Sequence, residues 1–269
     1  MKLKLSRIKD TQIIYDDCLT AFPNIPDNSI DMVFADPPYN MSKKKGLGWA
    51  FSKHITMQEA WDQFTNDEFF EFNIKWIGEC LRILKPGGSI FICGSYHNIF
   101  QIGFILQQFD VKILNDIIWF KPNAQPNITC RMFTQSTETV IWAAKGKKWT
   151  FNYDQMKELN KGKQMRNMWA IPYPSQSERW AGKHPTQKPI SLLERIILAA
   201  SSPGDIILDP FLGSGTTAVV AKMHGRRCIG IEKNKEYRTI IEKRLNKVIT
   251  RRTKKAFKKS TLDQFLEEE

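Results

Sequence analysis

Two short motifs contain the residues that could do chemistry, and each follows an apolar run. Asp36-Pro37-Pro38-Tyr39 comes directly after Met32–Ala35, and the string Asp209–Thr217 comes directly after Ile206–Leu208. Short apolar runs that are bounded by turn residues are typical of buried strands. Each motif is therefore predicted to be a turn at the end of a strand.

The first motif suits an amino group on a flat aromatic ring. Such a nitrogen is a poor nucleophile because its lone pair is delocalised into the ring. The Asp36 carboxylate and the Pro37 carbonyl could accept its two N–H groups, and consecutive prolines hold the backbone rigid. Tyr39 offers a face for stacking. Catalysis would then depend on positioning and electrostatics, with no metal or covalent intermediate. The alternative interpretation of Asp36 is a plain turn residue.

The second motif suits a nucleotide-like cofactor. Gly213-Ser214-Gly215 lets the backbone approach a ligand closely. Glu232 follows about twenty residues later, the spacing at which a carboxylate meets ribose hydroxyls. Position 218 is Ala, where the dinucleotide fingerprint would have a third glycine, so an NAD site is not indicated. The alternative is a strand-to-helix turn that uses glycine for geometry alone.

The elements around these motifs alternate between strand and helix. Their spacing predicts strands over 13–15, 29–35, 89–93, 111–120, 138–144, 205–209 and 227–232, and helices over 66–84, 97–108, 190–200, 215–224 and 235–248. This alternation predicts an α/β fold with a doubly wound, mostly parallel sheet that helices cover on both faces. Residues 121–182, with interleaved proline, amide, aromatic and basic residues, are predicted to be an irregular insert.

The amino-acid composition indicates which class of partner and which cellular compartment to expect. The net charge of +12 favours a polyanionic partner, most often nucleic acid, although a solvated basic surface is the alternative. The five cysteines are scattered with no Cys-x-x-Cys pair, so neither a disulfide framework nor a metal site is predicted. We expect a cytoplasmic protein. No run approaches the ~18 apolar residues of a membrane span.

The motifs and their order resemble those of β-class DNA adenine-N6 methyltransferases over roughly residues 12–248. In that class the catalytic motif comes first, the recognition region second and the cofactor loop last, a circular permutation of the usual order. The resemblance implies a Rossmann-like fold, S-adenosylmethionine as cofactor, DNA as partner and methyl transfer to N6 of a flipped-out adenine. Related cytosine-N4 enzymes tend to have Ser in place of Asp36, so adenine is favoured.

The same resemblance assigns roles to individual residues. It makes the first motif catalytic, through Asp36, Pro37, Pro38 and Tyr39. It places Asp17 and Cys18 beside the cofactor adenine, and a loop containing His184, Thr186 and Lys188 over the methionine carboxylate. The remaining cofactor-binding residues are Asp36, Asp209, Pro210, Phe211, Gly213, Ser214, Gly215, Thr216, Thr217 and Glu232. The alternatives are an ordinary buried thiol for Cys18 and a turn before a helix for His184-Pro185.

The insert resembles that of a narrower group, the GATC methylases of type II restriction–modification systems. The resemblance lies in Asn127–Thr134, Ser136–Thr139 and Asn152–Met165, and it implies GATC as the target. We expect Arg131 to be more interior than the other basic residues, either structural or near the DNA. DNA contacts are predicted for Lys43, Lys44, Lys45, Arg131, Lys161, Lys163 and Arg166.

The predicted organisation has four parts. They are a catalytic part over 1–121, a target-recognition insert over 122–182, a cofactor-binding part over 183–250 and a basic tail over 251–269. A homodimer is compatible with the resemblance. A cognate restriction endonuclease could be present in the same system without binding this enzyme. The alternatives are an RNA or protein amino-methyltransferase with the same chemistry, and a DNA-binding protein without catalysis.

Overall fold

Helices lie on both faces of a single eight-stranded sheet. The computed structural model describes Leu3, residues 10–40 and 64–248, and the helical backbone of 249–254. The strands are β1 (Thr11–Ile14), β2 (Ile30–Ala35), β3 (Leu84–Gly94), β4 (Val111–Phe120), β5 (Thr137–Lys145), β6 (Met168–Ala170), β7 (Ile206–Asp209) and β8 (Arg227–Ile231). The helices are α1 (Cys18–Ala21), α2 (Asn66–Ile83), α3 (Ile99–Leu106), α4 (Tyr153–Leu159), α5 (Ile190–Ala200), α6 (Thr216–Met223) and α7 (Arg238–Lys254).

The order of the strands is β1-β8-β7-β2-β3-β5-β4-β6. Strand β5 is antiparallel to β3 and β4, and the other neighbours are parallel. The doubly wound, mostly parallel sheet is thus confirmed. Strands β2, β3, β4 and β7 all end at the same edge, where ligands bind in this class of fold. The start of β3 differs from the expectation: it begins at Leu84, which pairs with Ile30, so Lys85–Gly88 already belongs to the strand.

The core forms two apolar layers because successive strand residues point to opposite faces of a sheet. In β2, Val33 and Ala35 pack on the side of α2 and α3, and Met32 and Phe34 pack on the side of α5 and α6. Helix α2 begins with a capping box, in which the Thr65 and Glu68 side chains and backbone amides bond reciprocally. These two layers hold the strand ends that carry the motifs.

The range 122–182 is more ordered than an irregular insert. It contains α4, β6 and β5, and β5 lies between β3 and β4 in the main sheet. Of its tryptophans, Trp169 is buried, Trp149 is half-buried and Trp180 is exposed. The division into four parts remains a prediction, and most of the tail lies outside the described residues.

Among the described helices, none combines the length and apolarity needed to cross a bilayer. Within the described residues, no group of His, Cys, Asp and Glu side chains is arranged to hold a metal ion. All five cysteines are free thiols, and Cys130 is the exposed one.

Asp31 connects three strands, so removing its side chain should destabilise the sheet. Its Oδ1 pairs with Lys85 Nζ of β3 at 2.5 Å, and its Oδ2 accepts the Ile206 amide of β7 at 2.9 Å. We expect Asp31→Ala to lower the free energy of unfolding by about 1–3 kcal/mol in urea. The control, Asp110→Ala at an exposed position, should change it by less than about 0.5 kcal/mol. Equal effects of the two substitutions would contradict this account.

Candidate active site

The two motifs lie side by side because their strands are neighbours. Strand β2 pairs in parallel with β7, with Val33 opposite Leu208. Asp36 follows the last residue of β2, and Asp209 is the last residue of β7. Both carboxylates line one cavity of about 490 Å³, a volume that suits a ligand of nucleotide size.

A buried cluster of charges surrounds Asp36. Lys188 Nζ donates to Asp36 Oδ2 at 2.5 Å, and the Tyr39 hydroxyl donates to Asp36 Oδ1 at 2.8 Å. The same hydroxyl lies 3.2 Å from Glu138 Oε2, and Lys188 Nζ lies 3.7 Å from that oxygen. Lys121 Nζ donates to Glu138 Oε1 at 2.9 Å. Two carboxylates therefore face two ammonium groups, and the cluster has no net charge.

Burial and charge act in opposite directions on these groups. Burial raises the pKa of Asp36, with a contribution from Glu138, and this outweighs the opposing effect of Lys188. Burial also acts to raise the pKa of Glu138, but Lys188 and Lys121 overcome it and the pKa is below its usual value. Burial acts to lower the pKa of Lys188, whereas Asp36 and Glu138 raise it above its usual value. Lys188 and Glu138 therefore stay charged at neutral pH.

Two further carboxylates shape the glycine-containing turn. Asp209 Oδ1 accepts the Phe211 amide at 3.0 Å, and its Oδ2 accepts the Thr217 hydroxyl at 2.5 Å. Burial raises the pKa of Asp209 to about 7. Glu232 Oε2 accepts the Gly213 amide at 2.7 Å. The turn is thus held from the ends of two adjacent strands, β7 and β8.

Gly213 is required by both conformation and space. Its φ is +54°, and a Cβ there would lie 3.0 Å from His184 Nε2. His184 Nδ1 accepts the Thr186 amide at 3.3 Å, and the ring packs on Tyr237 with centroids 4.2 Å apart. Burial lowers the pKa of His184 to about 4, with smaller contributions from Lys188 and Arg244. A neutral imidazole therefore packs against the turn.

The structure brings nearly all of the predicted cofactor-binding residues to the cavity. Only Gly215 among them does not line it; Gly215 is the N-cap of α6. Of the catalytic motif, Asp36 and Pro38 line the cavity, but Pro37 and Tyr39 do not. The predicted residues that line it are Asp17, Cys18, Asp36, Pro38, His184, Thr186, Lys188, Asp209, Pro210, Phe211, Gly213, Ser214, Thr216, Thr217 and Glu232.

At the other end of the cavity, Asp17 caps α1 by accepting the Leu19 amide at 2.9 Å, and it pairs with Lys233 Nζ at 3.0 Å. Cys18 is a buried thiol that also lines the cavity, and its place beside the cofactor adenine remains a prediction. Phe211 packs edge-on against Trp76, with ring centroids 5.2 Å apart. This end therefore combines apolar walls with polar groups.

The basic residues predicted to contact DNA lie elsewhere. Arg131, Lys161, Lys163 and Arg166 are exposed and do not line the cavity. The expectation that Arg131 is interior is wrong, because it sits in the connection between β4 and β5 with its side chain in solvent. Lys43, Lys44 and Lys45 lie outside the described residues, and their contact with DNA remains a prediction.

Three important charged residues were missed in the sequence. Glu138 and Lys121 complete the cluster at Asp36. The sequence signal that could have identified Glu138 is a carboxylate within an otherwise apolar strand. Buried Arg244 of α7 donates from Nη1 to the Ser214 carbonyl at 2.8 Å and to the Thr216 hydroxyl at 2.9 Å. Nothing in the basic pattern of α7 singles out Arg244, because its partners are distant in the chain.

The cavity fits the predicted cofactor, S-adenosylmethionine. Glu232 offers a carboxylate acceptor for ribose hydroxyls, and Cys18 and Phe211 offer apolar surface for an adenine ring. Lys188 also lines the cavity, and its ammonium group suits the carboxylate group of an amino acid.

A family model and two curated relatives are similar to this chain over most of its length. A family model described as DNA methylase matches residues 30–243. Type II methyltransferase M2.DpnII of Streptococcus pneumoniae is 49% identical over 87% of this chain and 88% of its own length. Type II methyltransferase M2.LlaDCHI of Lactococcus lactis subsp. cremoris is 47% identical over 88% and 90%.

Among solved structures, the crystal structure of an M1.HpyAVI–SAM complex superposes with a TM-score of 0.66 and 32% identity, covering 88% of this chain and 99% of that one. The cytosine-N4-specific PvuII DNA methyltransferase superposes with a TM-score of 0.69 at 20% identity, covering 90% and 94%. The likeness to the PvuII enzyme concerns the fold alone.

The raised pKa of Asp209 predicts a pH-dependent stability. Its pKa is 3.8 in the unfolded reference and about 7 in the folded chain, so the folded state binds this proton more tightly. The resulting stabilisation is complete below the unfolded pKa and is lost as pH rises through the folded pKa. Relative to Asp209→Asn, the wild type should lose on the order of 2–4 kcal/mol between about pH 4 and pH 8.

Urea unfolding of both proteins across that pH range measures this difference. The amide is a suitable control because its oxygen can still accept from the Phe211 amide and its NH2 group can donate to the Thr217 hydroxyl. Parallel stability curves for the two proteins would show that Asp209 is ionised in the folded chain throughout.

Proposed function

This chain belongs to the DNA methylase family of N6 and N4 amino-methyltransferases, and from that premise we propose that it methylates N6 of a flipped-out adenine in GATC. The observation that carries the proposal is the placement of Asp36 beside the Gly213 turn in one cavity. An acceptor for the target amine thus lies within reach of a cofactor site. Asp at position 36, as opposed to Ser, supports adenine over cytosine.

When bound, S-adenosylmethionine supplies a methyl group on a positively charged sulfur. Glu232 and Asp17 would hold its ribose and adenine end, and Lys188 its carboxylate. The backbone of Gly213, which lines the cavity, would lie against it. His184, Arg244 and Asp209 shape the turn and keep its backbone in place.

Asp36 would accept a hydrogen bond from the target amine and localise the lone pair of that nitrogen. Its Oδ1 and Oδ2 already accept from Tyr39 and Lys188, but each carboxylate oxygen can accept a second bond. The Pro37 carbonyl would take the other N–H. The raised pKa of Asp36 also suits it to receive the proton that the amine loses on methylation.

Glu138 is proposed as a positioning residue in this reaction. It holds Lys188, Lys121 and Tyr39 around Asp36, and so keeps the Asp36 carboxylate in one orientation. The Tyr39 hydroxyl contacts the carboxylates of both Asp36 and Glu138, and these contacts fix the ring next to the cavity. Stacking of the target base on that ring remains a proposal.

The target base and sequence can be identified from the product. Duplex and single-stranded oligonucleotides containing GATC, or GTAC in its place, would be incubated with enzyme and S-adenosylmethionine and digested to nucleosides. We expect N6-methyladenine from the GATC substrates alone. N4-methylcytosine, or equal methylation of both sequences, would overturn the assignment.

The exposed Lys161, Lys163 and Arg166 would contact phosphates of the DNA. Partners beyond DNA remain proposals that rest on the family. A cognate restriction endonuclease that cuts the same sequence fits a type II modification enzyme and needs no contact with it. A homodimer and the cytoplasmic location remain predictions.

Asp36→Ala should abolish methyl transfer and leave cofactor binding largely intact. The substitution removes the proposed acceptor for the amine, while the Gly213 turn and Glu232 remain. Single-turnover methylation of a GATC oligonucleotide and calorimetric titration with S-adenosylmethionine measure the two effects. Turnover within tenfold of wild type would contradict the role of Asp36 as acceptor for the amine. A complete loss of cofactor affinity would assign Asp36 to the methionine end of the cofactor.

Glu232→Ala should weaken S-adenosylmethionine binding by about 1–3 kcal/mol, the usual effect of removing a charged acceptor. The loss has two sources, the ribose contact and the Gly213 amide left without its acceptor. Glu232→Gln is the control, since its carbonyl keeps one of these bonds and should give a smaller loss. An unchanged dissociation constant for Glu232→Ala would show that another residue contacts the ribose.

A further inference from the structure

The connection between β4 and β5 presents three exposed apolar side chains. Phe133 is 99% exposed, Met132 is 66% exposed and Ile128 is 60% exposed. Large apolar side chains grouped in this way are uncommon on a protein surface unless a partner covers them. We call residues 127–134 the apolar tip.

The apolar tip has a defined shape. The Asn127 side chain accepts from the Thr129 amide at 3.0 Å and donates to the Met132 carbonyl at 3.2 Å. The Asn127 amide donates to the Thr134 hydroxyl at 3.4 Å, and the Cys130 amide donates to the Asn127 carbonyl at 3.2 Å. The tip is therefore closed on itself by local bonds, and its apolar side chains are left outside.

The base of this connection is part of the active site. The Lys121 amide donates to the Ser136 carbonyl at 2.7 Å and closes the loop. Lys121 and Glu138, which flank it, pair at 2.9 Å within the cluster at Asp36. Strands β2, β3 and β4 run in the same direction, so the connection leaves the sheet at the edge where Asp36 lies. The connection that carries the apolar tip therefore leaves the sheet at the edge where the cavity lies.

The partner is DNA, the substrate of the family. A base that enters the cavity leaves its stack, and the neighbouring bases then expose apolar faces or a gap. Aromatic side chains cover such faces by stacking, and apolar wedges fill such gaps. We propose that Phe133, supported by Met132, stacks on a base next to the target adenine and takes the place of the extruded base. Arg131, exposed in the same tip, suits an adjacent phosphate.

The proposal rests on the proposed function and is tested with Phe133→Ala, Phe133→Trp and the control Phe104→Ala. Phe104 is an exposed phenylalanine on α3, outside the tip. Affinity for a GATC duplex and for the single strand would be measured at several salt concentrations. A second duplex with 2-aminopurine at the target adenine reports extrusion of the base through its fluorescence.

We expect Phe133→Ala to weaken DNA binding on the order of tenfold and to reduce the 2-aminopurine signal, while Phe133→Trp retains both. The salt dependence of binding should not change, because no charge is lost. S-adenosylmethionine affinity and thermal stability should stay at wild-type values. A loss on the duplex alone indicates that the ring fills the gap, and an equal loss on the single strand indicates stacking on a neighbour; either supports the proposal.

Wild-type DNA affinity of Phe133→Ala, or the same loss in Phe104→Ala, would overturn the stacking role. So would a loss of thermal stability in Phe133→Ala, which would show that the ring supports the fold. Failure of the wild type to methylate adenine would overturn the proposed function and not this inference, since the binding assay does not depend on the methylated base.

Discussion

The parallel pairing of β2 with β7 is the constraint on which the site depends. These strands are far apart in the chain, yet Met32 and Val33 lie opposite Ile207 and Leu208. Parallel neighbours end at the same edge, so the turn after each strand faces the same cavity. Asp36 and the Gly213 turn are brought together by this register, because a slip of one residue would turn the alternating side chains of β2 to the wrong faces.

The buried charges at Asp36 carry an energetic cost that their arrangement offsets. Removing a carboxylate or an ammonium group from water is unfavourable, and a buried ion pair gives little net stability unless its remaining bonds are satisfied. Here Asp36 and Glu138 share Lys188 and Tyr39, and Lys121 neutralises the remaining charge. The cluster therefore contributes orientation to the catalytic end more than stability to the fold.

Different parts of the molecule supply the chemistry and the contact with substrate. The cavity is enclosed by strand ends and by turns tied down with buried hydrogen bonds, as at Asp209, Glu232 and Arg244. The connection between β4 and β5 begins and ends in the same charge cluster but carries its apolar side chains into solvent. The connection therefore joins an exposed tip to the residues around Asp36.

Local patterns in the sequence determined the elements and most of the cavity. Apolar runs that end in Asp36 and Asp209 marked the two strand ends, and the alternation of strands with helices predicted the covered sheet, because both depend on neighbouring residues alone. The cofactor string was recognisable since its glycines, acids and hydroxyls are contiguous. The motif order also identified the family.

Tertiary structure decided the rest. Glu138 and Lys121 join the cluster at Asp36 only because β5 inserts between β3 and β4, and no local pattern encodes that pairing. Arg244 reaches Ser214 from another helix, and Arg131, expected inside, lies in solvent on the apolar tip. Charges are costly to bury unless partners meet them, and in this chain those partners are separated by long stretches of sequence that only the folded sheet brings together.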